Sequence, residues 1–115
     1  MRYHLCPGHT DMRKSFYTLS GVITNKMGQD VRSGDVFIFI NRNKTLMKIL
    51  HAEEGGLVLY SKRLEEGTFR VPDFDEDTQS YPMTWSDLVL MVKGINEEPT
   101  KRLKRLKLLA KREYL

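Results

Sequence analysis

Residues 34–72 read GDVFIFINRNKTLMKILHAEEGGLVLYSKRLEEGTFRVP. Three runs rich in apolar residues stand here, with only two short polar loops between them. Val36 to Ile40 is apolar throughout, while Thr45 to His51 and Leu57 to Arg63 alternate apolar with polar residues. Asn41-Arg42-Asn43-Lys44 and Ala52-Glu53-Glu54-Gly55-Gly56 carry the Asn and Gly chemistry of turns. Runs this short, joined this tightly, predict an antiparallel β-meander of three strands.

Simple hairpin turns would pair Ile40 with Thr45 and Val36 with Ile49. They would also pair Leu50 with Val58, Lys48 with Tyr60 and Leu46 with Lys62. Side chains alternate across a strand. One face then holds Val36, Ile38, Ile40, Met47, Ile49, Leu57 and Leu59, a core face. The other holds Phe37, Phe39, Leu46, Lys48, Leu50, Val58, Tyr60 and Lys62. It is either a second packing face, with lysine stems laid over apolar surface, or a basic aromatic surface for a phosphate backbone. A slip of one residue in either turn exchanges the faces of a strand.

Arg2 to Cys6 has the composition of a short strand. Thr10 is placed as a helix N-cap, and Met12, Phe16, Leu19, Ile23 and Met27 follow at helical spacing up to Gly28. Arg13 and Lys14 would then oppose the helix dipole in the first turn. Phe69 and Val71 suggest an extended edge segment, and residues 73–81 an acidic loop. Thr84 and Asp87 fit a capping box for a second helix, its apolar face formed by Trp85, Leu88, Val89, Met91, Val92 and Ile95. Trp85 is expected in the core. The fold expected is α+β: a meander of at least three strands against helices near 11–27 and 84–95. This domain, 1–98, is followed by a basic amphipathic helical tail, 99–115.

The net charge of +4 is unevenly placed. Residues 100–115 carry +6 and the preceding body −2, an asymmetry that suits a polyanionic partner. No apolar run approaches the roughly 20 residues a bilayer span needs. The amino-terminal stretch has no apolar centre of a secretory signal. One cysteine, Cys6, allows no internal disulfide. A cytoplasmic location, with no membrane partner, is therefore expected.

Catalytic chemistry is not apparent. His4, Cys6 and His9 lack a further ligand pair at zinc spacing, and Asp73, Asp75, Glu76 and Asp77 follow no cation-loop pattern. There is no glycine-rich phosphate loop. No enzyme activity, metal or cofactor is expected.

Several blocks together resemble one family. Pro7-Gly8-His9-Thr10-Asp11-Met12-Arg13-Lys14 with Phe16 resembles its P-G-x-T-D-M-R-K-x-F opening. Gly34-Asp35-Val36-Phe37-Ile38-Phe39 resembles its G-x-[LV]-F-V-F strand. Arg42, Lys48-Ile49-Leu50 and the stretch from Gly56 to Pro72 continue the likeness, and Met83-Thr84 through Lys93-Gly94-Ile95 closes it. The chain departs from the pattern at His51-Ala52, Leu57 and Val71, where the family favours aromatic residues. The family is the accessory protein from the second reading frame of insertion sequences of the sixty-six type, often labelled TnpB and distinct from the RNA-guided nuclease of that label.

The resemblance implies a bacterial mobile element and a role in transposition beside a separate transposase, with no catalytic residues to transfer. DNA binding is the usual supposition. The cations for it are Arg13, Lys14, Arg42, Lys44, Lys48, Lys62, Arg63 and Arg70, with Lys101, Arg102, Lys104 and Arg105 in the tail. The alternative is an adaptor that docks on the transposase without touching DNA, its tail leucines presented to a groove.

Overall fold

A computed structural model describes residues 1–71 and 79–92. The tail, with Lys101, Arg102, Lys104 and Arg105, the acidic residues 73–77 and positions 93–95 of the expected second helix lie outside the described residues. Strand β1 (Tyr3–Leu5) is followed by helix α1 (Phe16–Asn25) and a 3-10 turn (Val31–Ser33). Then come β2 (Val36–Ile40), β3 (Leu46–Glu53), β4 (Gly56–Arg63), β5 (Tyr81–Met83) and helix α2 (Trp85–Val92).

The expected meander is β2-β3-β4, and it forms one side of a larger sheet. The strand order is β4-β3-β2-β1-β5. β1 runs parallel to β2, and the other pairings are antiparallel. Parallel neighbours need a long crossover, and α1 with the 3-10 turn supplies it. Periodicity within β1 says nothing of its partner, so the mixed sheet was not legible in three residues.

The two helices take opposite faces. Val36, Ile38, Ile40 and Met47 pack with Leu88 and Met91 of α2, joined by Leu5, Met83 and Phe69. Phe37, Phe39 and Leu50 pack with Leu19, Ile23 and Met27 on and just beyond α1. β2 is buried along its whole length, as a central strand covered on both sides must be. Of the two readings of the second face, packing is the one observed for its phenylalanines: Phe37 and Phe39 have no exposed surface.

Both hairpins differ from the expected register. Ile40 faces Met47 and Val36 faces His51, a shift of two residues that keeps every side chain on its face. The loop itself causes it. The Asn41 side-chain oxygen accepts the N–H groups of both Thr45 and Leu46, at 2.8 and 3.0 Å. Lys44 takes a left-handed φ of 59°, so the turn is longer than a minimal one. The second hairpin turns tightly at Glu54-Gly55, with Gly55 at φ 82°, and pairs Glu53 with Gly56. Lys48 therefore faces Ser61, not Tyr60. That odd shift exchanges the faces of β4. Leu57 and Leu59 join the α1 side, and Tyr60 and Lys62 move to the α2 side.

Helix α1 begins later than expected. Thr10 is no N-cap; its N–H bonds the Ile40 carbonyl at 2.8 Å. The Lys48 ammonium donates to the carbonyls of Met12 (2.7 Å) and Lys14 (2.9 Å). In a helix those carbonyls would accept from residues 16 and 18, so Lys48 competes for the bonds that would extend α1 backward. Ser15 caps instead, its N–H bonded to Thr18 Oγ1 at 2.8 Å. Phe16 is thereby 42% exposed and off the buried stripe. Arg13 and Lys14 precede the helix and do not lie in its first turn.

Helix α2 has the expected capping box: Thr84 N–H donates to the Asp87 carboxylate, and Asp87 N–H to Thr84 Oγ1. Trp85 is not a core residue; it is 62% exposed and lies tilted against Tyr3, ring centres 5.7 Å apart. Phe69 is no edge strand. It is buried, and its N–H bonds the Lys44 carbonyl at 2.7 Å.

Candidate nucleic-acid interface

The topology gathers the predicted cations at one end of the sheet. β2 ends there at Ile40, and Arg42 and Lys44 lie in the loop that follows. β4 also ends there, with Lys62 opposite Met47 and Arg63 opposite Leu46. The chain after β4 is held to the same loop by the Phe69–Lys44 bond, which brings Arg70 alongside. The Thr10–Ile40 bond and the two Lys48 bonds carry Arg13 and Lys14 to this end.

Among the described residues, the eight predicted cations thus share the rim with Asp11, Glu65 and Glu66. At the opposite end Asp30, Asp35, Glu53 and Glu54 outnumber Arg2 and Arg32. The described body is electrically polar along its strands although its net charge is small.

The eight do not tile one flat face. Arg63 and Lys48 lie on the α1 side and Lys62 on the α2 side, so the charge wraps the sheet end. Arg42, Lys44, Lys62, Arg63 and Arg70 are exposed. Lys48 is half-buried and holds the two carbonyls. The exposed Arg13 guanidinium grips the Asp11 carboxylate at 2.6–3.1 Å. Those hydrogen bonds, with the Arg13 charge, hold the Asp11 carboxyl far below its usual range and raise Arg13. Sequence reasoning misses Lys26, whose ammonium donates to the Pro7 carbonyl at 3.0 Å. Only the tertiary path of α1 brings it there.

A second polar group lies away from this rim. His4 is buried and stacked on Phe37, ring centres 5.2 Å apart. Its Nε2 is 2.9 Å from the Asp35 carboxylate and its Nδ1 3.1 Å from Ser80 Oγ. Asp35 also accepts the Arg2 N–H at 3.1 Å. Burial opposes the Asp35 charge, but the His4 and Arg2 hydrogen bonds and charges outweigh it and keep the carboxyl below its ordinary range. The group ties β1 to the start of β2 and to the approach of β5. Among the described residues no group of three His, Cys, Asp or Glu is placed to hold a metal ion. No helix among them is long and apolar enough to cross a membrane. Cys6 is a buried free thiol, pushed up by burial against the lowering influence of Lys26 and Thr10.

The described residues form an α+β body, one mixed sheet between two helices, with a cationic rim. Family comparison makes the class specific: the chain belongs to the IS66 Orf2 like protein family, whose model matches residues 1–109. It is accordingly an accessory protein of an insertion sequence. An uncharacterized protein, y4hO, of Sinorhizobium fredii (strain NBRC 101917 / NGR234) is 32% identical over 72 residues. That similarity spans 63% of this chain and 63% of the relative. No solved structure matches.

Proposed function

We propose that this protein is a non-catalytic accessory of transposition that binds DNA through the cationic end of its sheet, beside the element's transposase. The observation that carries the reading is the convergence of Arg42, Lys44, Lys62, Arg63 and Arg70 on one exposed rim. These residues come from separate segments, and like charges brought together cost folding free energy. A polyanion crossing the rim offsets that cost. Lys and Arg neutralise phosphates and release condensed counterions. Such contacts carry no sequence information, so binding through them has weak sequence preference. The basic residues Lys101, Arg102, Lys104 and Arg105 extend the same chemistry along the chain. The test is fluorescence anisotropy with element-end and random duplexes across a salt series. Binding of both that falls steeply with salt supports the reading, and absence of binding at low salt rejects it. The adaptor role makes a different demand: capture of transposase by a protein that binds no DNA.

A further inference from the structure

β4 is an edge strand of the described sheet, eight residues long, with no neighbour beyond it among the described residues. From Gly56 to Ser61 it carries no charge and no proline, and such an edge is a template for another strand. The phase of its hydrogen bonds follows from its partner. Leu64 N–H bonds the Thr45 carbonyl, and bonded pairs alternate along an antiparallel ladder. Gly56, Val58, Tyr60 and Lys62 thus turn their backbone groups toward β3. Leu57, Leu59, Ser61 and Arg63 turn theirs outward.

We infer that two copies of this chain pair through β4, antiparallel, about a two-fold axis at Leu59. An axis normal to the sheet keeps each face on its own side, so directly opposed residues are both even-numbered or both odd-numbered. With Leu59 opposite itself, Leu57 meets Ser61 of the second copy, and each pair uses the outward N–H and C=O groups. Charge favours this register. It sets Lys62 of the second copy opposite Gly56, in the same cross-strand row as Glu53. Strands are spaced about 4.8 Å apart, so a lysine and a glutamate meet across the intervening strand most readily where that position has no side chain. Gly56 has none. Its φ is not left-handed, and a β-carbon there would meet nothing within 4 Å, so the isolated fold does not require a glycine. Tyr60, 53% exposed in the single chain, gains Val58 of the second copy as a neighbour.

One added strand pair is a small interface, so the dimer is concentration-dependent. Sedimentation velocity of the full chain over a wide concentration range tests it, with circular dichroism as the control for folding. A reversible monomer–dimer equilibrium that weakens with salt is expected. Ser61→Pro removes an outward N–H and leaves the β3 ladder whole, so it should raise the dissociation constant tenfold or more without loss of strand signal. Lys62→Glu and Glu53→Lys should each weaken dimerisation, and the double variant should restore it. A monomer at every concentration, a dimer indifferent to Ser61→Pro, or absence of rescue in the double variant overturns the inference.

Discussion

The Lys48 ammonium lies 2.7 Å from the carbonyl oxygen of Met12 and 2.9 Å from that of Lys14. A cation that sequence reasoning assigns to phosphate contact is held by the protein's own backbone. It fixes where α1 begins, and so where Arg13 and Lys14 stand. Lys48→Met keeps the stem and removes the donor. Hydrogen bonds to a charged group contribute about 1.5–3 kcal/mol. A stability loss near the lower end of that range is expected, because the freed carbonyls gain partial access to water. Urea unfolding checks it, and faster amide exchange over residues 10–15 would locate the effect.

Lys44 occupies a left-handed conformation, φ 59°, in a loop otherwise pinned by Asn41. Such a position costs a residue with a β-carbon about 1 kcal/mol relative to glycine. Lys44→Gly should therefore stabilise the fold by up to about 1 kcal/mol while weakening DNA binding. Thermal unfolding and anisotropy on the same variant separate the two effects. A variant less stable and equally tight in binding contradicts both halves.

Asp11 is the acid that occupies Arg13 at the rim. Asp11→Asn removes a negative charge and frees the guanidinium. Exposed pairs of this kind contribute little to folding, so stability should be unchanged. DNA affinity at low salt should rise several-fold, with a steeper salt dependence. Titration of both proteins against one duplex measures this directly.

Asp35 meets the buried His4 at 2.9 Å, and its carboxyl lies below its ordinary range. A depressed carboxyl contributes stability that is present above its unfolded value, near pH 4, and is lost as pH falls through the folded value. Stability conferred by this group should hold at neutral pH and decline below about pH 4. Asp35→Ala leaves His4 buried with one partner fewer. A buried polar group left without one of its hydrogen-bond partners costs about 1–3 kcal/mol. Chemical denaturation at pH 7 and pH 3.5 should show a large deficit at the first and a smaller one at the second.

Much of the fold was legible. Val36–Ile40 is buried end to end, β2-β3-β4 is a meander, and the Thr84–Asp87 box opens α2. These features follow from local chemistry. What failed depends on parity or on distant partners. A turn at Glu54-Gly55 in place of a longer loop moves Tyr60 and Lys62 to the opposite face from Phe37 and Lys48. Helical spacing runs unbroken from Met12 to Phe16, yet the Lys48 side chain, 34 residues from Lys14, redirects those carbonyls. Hydrophobicity alone puts Trp85 inside, but Leu88 and Met91 already fill the α2 face of the core. The rim cations were identifiable as residue types. Their meeting at one end required the β3–β4 register and the Phe69–Lys44 bond.

The most direct measurement compares DNA binding of the unaltered protein with an Arg42→Ala, Lys62→Ala, Arg63→Ala, Arg70→Ala variant, by anisotropy from low to physiological salt. The altered residues are exposed, so circular dichroism should report the same fold. Each phosphate that the protein no longer neutralises lowers the slope of log affinity against log salt by about 0.9. A shallower slope by roughly two to four units, with weaker binding to every sequence tested, is the expected result. Equal affinity and an unchanged slope in the variant would show that the cationic rim is not where DNA binds.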